Sequence, residues 1–131
     1  MKFKYKKYGS GIVRPVIPVE ISYKGTSIEY EVLVDSGADI CIFHAELADI
    51  LGIDLTKGER AHVSGITGAP ELQYIHPVAL KVGGWEHKTK VGFLPNIGRL
   101  GYGVVGQRGF FDKYVVKFDF LKEEIELKRR I

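Results

Sequence analysis

Polar and apolar residues alternate in Glu20-Ile21-Ser22-Tyr23 and again in Ser27-Ile28-Glu29-Tyr30, on either side of Lys24-Gly25-Thr26. A period of two puts successive side chains on opposite faces, so this segment predicts a hairpin with one wet face. Its first strand is expected over Val19 to Tyr23, because Pro15 and Pro18 interrupt what precedes it. The returning strand runs from Ser27 to Val34. Upstream, Phe3 to Tyr8 alternates lysine with aromatics, the pattern of a half-exposed edge strand, and Gly9-Ser10-Gly11 closes it. One helix is expected, Ala45 to Leu51, with Leu47, Ile50 and Leu51 on one face and Gly52 as its stop. Gly58 to Leu80 reads as a long hairpin with its tip at Gly65 to Pro70. Val78 to Val82 and Trp85 to Phe93 flank a Gly83-Gly84 turn. Tyr114 to Phe120 and Glu124 to Leu127 are strands joined by Leu121-Lys122-Glu123. The fold class is therefore all-β with a single short helix, and the absence of a linker or repeat makes residues 1–131 one domain.

The most informative stretch is Tyr30 to Ile42. Val32, Leu33 and Val34 make both faces of a strand apolar, which predicts burial on both sides, and the strand runs directly into Asp35. Ser36, Gly37 and Ala38 are small enough for a tight turn and for another backbone to come close. Ile40, Cys41 and Ile42 then resume an apolar run. Two readings fit these residues. Asp35 either caps its own turn, as aspartates commonly do, or is a catalytic carboxylate held rigidly between two core strands.

Composition narrows the classes. With 131 residues, 45% hydrophobic and 27% charged, the chain can bury an ordinary core, and no apolar run reaches the ~18 residues of a membrane span. The basic start lacks the apolar region of a signal peptide, so a cytoplasmic location is expected, with no membrane partner. Five positive charges fall in the first fourteen residues and four in the last ten, which would suit a nucleic-acid patch, but the Lys-aromatic alternation of Lys2 to Tyr8 favours a half-exposed strand. His44, His62, His76 and His87 have no metal-ligand spacing, and Cys41 is alone, so neither a metal nor another cofactor is expected. Gly101 to Gly106 has a Gly-x-Gly-x-x-Gly spacing but no βαβ setting to give it meaning.

Val32-Leu33-Val34-Asp35-Ser36-Gly37-Ala38 resembles the active-site signature of the aspartic peptidases, a hydrophobic run ending in Asp-Thr/Ser-Gly-Ala/Ser. Length and a single copy point to the retropepsin-like branch, in which one chain is half an enzyme. Ser64 to Gly68 is similar in position and character to that family's glycine-bearing flap, although an ordinary wide hairpin turn explains the same residues. Val104-Val105-Gly106 resembles the family's second loop, where a glycine lets a strand pass beside the Asp loop. The family continues with Gly-Arg-Asp or Gly-Arg-Asn, whereas this chain has Gly106-Gln107-Arg108, so an ion pair between Arg108 and Asp39 is an open question.

The resemblance implies a closed, retropepsin-like β-barrel with a β-hairpin flap, and an aspartic endopeptidase. Peptide hydrolysis by an acid pair needs one carboxylate ionised and one protonated. Asp49, Asp54, Asp112 and Asp119 lack the flanking small residues of a second loop, so the partner acid is expected to be Asp35 of a second copy in a homodimer. Ser36 and Gly37 would support the loop, and Ala38, Asp39, Gly65, Ile66, Thr67 and Gly68 would contact an extended peptide or protein substrate. Gly106 would be the second-loop glycine, and Ile42, Ile66, Val104 and Val105 would shape the pockets. Two other readings stay open: a silent retropepsin-like peptide-binding or dimerisation module, and a plain β-barrel interaction domain with Asp35 as a structural turn residue.

Overall fold

The computed structural model describes residues 1–64, 68–95, 97 and 101–130. Six strands close a barrel: β4 (Val16–Tyr23), β5 (Thr26–Val34), β10 (Gly103–Val105), β6 (Cys41–His44), β9 (Trp85–Leu94) and β8 (Glu71–Val82), in that order. The ring is completed where Glu20 to Ser22 of β4 pair with Ala79 to Lys81 of β8. Strand β7 (Glu59–Val63) extends the sheet from the outer edge of β8. Four of the ring pairings are antiparallel, and β10–β5 and β6–β9 are parallel.

One topological feature matters most. β5 and β6 are consecutive in sequence, yet β10 lies between them, parallel to β5 and antiparallel to β6. The connection from β5 to β6 must therefore cross the end of β10. That connection is residues 35–40.

Alternation explains the core. Ile17, Val19 and Ile21 of β4, Val32 and Val34 of β5, and Leu80 and Val82 of β8 all point inward and are essentially fully buried. Leu33, on the opposite face of β5, is only half-buried, so the outer side of that strand is partly covered rather than closed. Each fully buried aliphatic side chain contributes about 1.5–3 kcal/mol. Tyr30, Phe43 and Phe93 add a chain of edge-to-face ring contacts across the barrel wall.

The helix α1 (Ala45–Leu51) has the expected ends: His44 Nδ1 accepts from the Glu46 N–H at 3.1 Å, and Gly52 closes it in the left-handed conformation. Its buried face is Leu47, Ala48 and Leu51, whereas Ile50, expected to be buried, is 56% exposed. At ~100° per residue, Ile50 lies roughly 110° from the centre of that stripe. Strand β4 begins at Val16, earlier than expected. Pro18 faces Glu31 in a part of the strand with only one neighbour, so no second ladder needs its missing N–H.

A smaller sheet packs beside the barrel. It consists of β1 (Lys2–Lys4), β12 (Glu124–Arg129) and β11 (Tyr114–Asp119), with β12 in the middle. The expected strand Phe3 to Tyr8 is thus divided. Tyr5 donates its N–H to Glu123 O at 2.9 Å, and beyond it β2 (Lys6–Lys7) pairs instead with β3 (Val13–Arg14). No helix among the described residues is long and apolar enough to cross a membrane.

Candidate active site

The crossing segment is held from three directions. Asp35 N–H donates to Val105 O at 3.0 Å, which ties the end of β5 to β10, and Ala38 N–H returns to Asp35 O at 3.2 Å. The Gly37 N–H donates to Asp35 Oδ1 at 2.9 Å. This is the self-capping turn that the bland reading of Asp35 requires. It occupies one carboxylate oxygen. The other makes no hydrogen bond among the described residues, and Asp35 is only half-buried, so an acid with a fixed orientation keeps one oxygen for chemistry.

The second loop is zipped to the first. Gln107 N–H donates to Ala38 O at 2.8 Å, Arg108 N–H donates to Asp39 O at 2.9 Å, and Ile40 forms an isolated parallel bridge with Arg108. These contacts bring the backbone at residue 106 so near that a Cβ there would stand 2.4 Å from Ala38 O and 2.6 Å from Ile40 O. Only glycine fits. Phe111 and Asp112 in turn donate to Gly106 O and Gln107 O at 3.2 and 3.1 Å, which anchors the loop to the chain that leads into β11.

The predicted residues fall unevenly around this core. Ser36, Gly37 and Asp39 are exposed and Ala38 is half-buried, all on the crossing segment. Gly68 is exposed, while Gly65, Ile66 and Thr67 lie outside the described residues. Ile42 and Val104 face each other across β6 and β10, both half-buried. Val105 is fully buried and belongs to the core, because neighbouring residues of a strand point to opposite faces and Val104 and Val105 cannot both line a cleft. No ion pair joins Arg108 to Asp39. Their link is through the backbone alone.

Three contacts were not legible beforehand. Gln107 Nε2 donates to Ser36 O at 2.7 Å, so the residue that departs from the expected arginine spans the two loops with its own amide. The only signal for it was a polar residue directly after the loop glycine. Cys41 Sγ donates to Arg108 O at 3.5 Å, and burial pushes its thiol up to about 11. His87 Nε2 donates to Gly109 O at 2.6 Å, and burial lowers the imidazole below its usual value against the opposing pull of that hydrogen bond.

Among the remaining acids, Asp112 Oδ1 accepts from Gly109 N–H at 3.0 Å and Asp119 Oδ1 from Lys122 N–H at 3.1 Å, so both serve their own turns. A cavity of about 310 Å³ lies between α1 and the start of β10, lined by Tyr30, His44, Leu47, Ile50 and Tyr102. It contains no residue of the crossing segment. No group of three or more His, Cys, Asp or Glu suited to a metal ion occurs among the described residues.

Comparison with known proteins fits this geometry. A family model described as aspartyl protease matches residues 17–108, a span that contains both loops. Among solved structures, the chain is similar to a retropepsin-like aspartic protease from Rickettsia conorii, with a TM-score of 0.68 at 18% identity, over 97% of this chain and 89% of that one. It is also similar to the EIAV protease complexed with the inhibitor HBY-793, with a TM-score of 0.50 at 22% identity, over 78% of this chain and 88% of that one. At these identities the likeness is one of fold. No curated protein matches the sequence.

Proposed function

Because this chain belongs to the aspartyl protease family and has a retropepsin-like fold, we propose that two copies of it form an aspartic endopeptidase whose dyad is the pair of Asp35 carboxylates. The observation that carries this reading is the Asp35 carboxylate itself, oriented by the Gly37 amide through one oxygen and free at the other, on a chain with one such loop. Two carboxylates brought within a hydrogen bond cannot both ionise, so one holds the proton and the pair titrates as a unit. The ionised member takes a proton from water, and the water attacks the peptide carbonyl carbon. The protonated member donates to the carbonyl oxygen, and the tetrahedral intermediate collapses with a proton passed to the leaving nitrogen.

The remaining roles are those that the family resemblance implies. Ser36 and Gly37 hold the loop, Ala38 and Asp39 meet the substrate backbone, and Gly65 to Gly68 close over an extended peptide bound as an added strand. Gly106 permits the close approach of the two loops. Ile42 and Val104, half-buried and opposed, supply apolar wall.

The test is cleavage of a mixed peptide library between about pH 4 and 7 with Asp35→Asn alongside. Turnover should fall by about a thousandfold or more in the variant, with its folding intact. Cleavage that survives the substitution in a contaminant-free preparation removes the assigned chemistry. A dimer that cuts nothing at any pH points instead to a silent peptide-binding module.

A further inference from the structure

Lysines at the start of the chain are paired: Lys2, Lys4 and Lys6 stand against Glu126, Glu124 and Glu31. Another group of cations is not. Lys113, Arg129 and Arg130 line a cavity of about 250 Å³ where the start of β9 meets the start of β11 and the end of β12, with Trp85 and His87 as further walls. None of the three cations is within ion-pair distance of a carboxylate among the described residues. The one acid on the lining is Glu86, which is exposed and stands directly opposite Lys81 across the β8–β9 hairpin. Three positive charges against one negative leave a net charge of +2 around the space.

Each cation is held in place by something other than a counter-ion. The Arg129 guanidinium lies over the Trp85 ring, 4.1 Å from its centroid. Arg130 donates its backbone N–H to Lys113 O at 2.9 Å and its Nε–H to Phe111 O at 3.2 Å, so the side chain is oriented while both Nη groups stay unused. Lys113 is half-buried, and its ammonium makes no hydrogen bond or ion pair among the described residues. Its charge is felt nearby: His87, lowered chiefly by burial, is lowered further by Lys113. Like charges gathered in a space partly closed to water repel one another, and an anion between them relieves that repulsion.

We propose that this pocket is a phosphate-binding site, which takes inorganic phosphate or the phosphate group of a small organic phosphomonoester. Two oriented guanidinium groups and an ammonium match the three acceptor oxygens of a phosphate, and arginine is the side chain best shaped for them. A phosphomonoester carries about −1.5 to −2 at neutral pH, close to the net charge of the lining, whereas a carboxylate carries only half of that. Trp85, 47% exposed, offers an apolar wall beside the charged groups for an organic body to lie against. No residue of the crossing segment lines the pocket, so the site is separate from Asp35 and stands whether or not the chain cuts peptides.

The experiment is a titration of the full chain with sodium phosphate at about pH 7.5, where the dianion dominates, with sodium acetate at matched ionic strength alongside. Trp85 is the only tryptophan of the chain, so its emission reports on this pocket, and calorimetry on the same samples reads binding independently of it. Phosphate should give a saturable response with a midpoint in the millimolar range or below, and acetate should not. Arg130→Gln should weaken phosphate at least about tenfold, the loss expected for a hydrogen bond to a charged group. Because Arg130 also holds Phe111 O, Lys113→Gln is the cleaner variant: it removes no contact of the fold and should weaken phosphate by about the same factor. Lys122→Gln, a cation outside the pocket, should leave the affinity within about twofold. Phenyl phosphate that binds more tightly than inorganic phosphate identifies an organic phosphate, through the Trp85 wall, and equal binding identifies the free ion. Silence of both emission and calorimetry up to ~20 mM phosphate overturns the site, as does an equal response to acetate. A loss of affinity in Lys122→Gln as large as that in Lys113→Gln does the same, because it reduces the effect to general screening.

Discussion

Replacing Gly106 by alanine tests the central claim about the site, that two loops are pressed together where no side chain fits. The added Cβ would fall 2.4 Å from Ala38 O, 2.6 Å from Ile40 O and 2.9 Å from the Ala38 carbonyl carbon. Real Cβ contacts essentially never come below 3.0 Å, and all three obstacles are backbone, so no side chain can rotate out of the way. The crossing segment must move by more than about half an ångström, which is the tolerance within which a catalytic group has to be held. Overpacking of this kind costs about 1–3 kcal/mol. At about 4 °C per kcal/mol for a domain of this size, the midpoint of thermal unfolding should fall by about 4–12 °C. Turnover of a peptide substrate should fall about 100-fold, since a displacement approaching 1 Å is enough to misalign the reacting groups. Gly68→Ala is the control: nothing lies within 4 Å of a Cβ there, and its unfolding midpoint should match the wild type. A Gly106→Ala protein with wild-type stability and wild-type turnover would refute the tight crossing.

Gln107→Ala removes the hydrogen bond from Nε2 to Ser36 O at 2.7 Å. Its stability should change by about 1 kcal/mol or less, as the group is exposed, while turnover falls several-fold in peptide assays; Gln107→Glu, whose carboxylate repels that carbonyl, should be the slower of the two. Cys41 is fully buried with its thiol pushed up to about 11, so iodoacetamide at neutral pH should label it only after denaturant unfolds the chain. His87 titrates below its usual 6.5 in the folded protein, chiefly through burial. The unfolded chain therefore takes up the proton first as pH falls, and His87's contribution is intact above about pH 6.5 and lost progressively below it. Urea unfolding at about pH 7.5 and 5.5 should show a smaller loss for His87→Gln, whose amide can still donate to Gly109 O, than for the wild type.

Much of the fold is written in local pattern. The period of two in residues 20–30 marked both strands of the first hairpin, and Lys24 and Gly25 do take the positive φ values of a two-residue turn. Helix α1 spans the expected Ala45–Leu51 and ends at Gly52 as its stop signal indicated, whereas its N-cap, His44, carried no such signal. Pattern misled where neighbours decide. Ile50 has a helical spacing from Leu47 but points away from the barrel, Val105 is core rather than cleft, and Pro18 is tolerated because β4 has one partner there. At Tyr5 the alternation is continuous while the hydrogen-bonding partner changes.

The candidate site divides the same way. The amino-acid sequence alone determined that an acid sits at the end of a buried strand, followed by residues small enough to turn, because burial and turn chemistry act over a few neighbouring residues. It also determined that a glycine follows two valines late in the chain. What brings Gly106 against Ala38 and Ile40 is the insertion of β10 between β5 and β6, and that is a choice among pairings far apart in sequence. So is the capture of Met1 by Leu127, 126 positions away. Such pairings are selected by the total burial and hydrogen bonding of the closed barrel, and no local period records them.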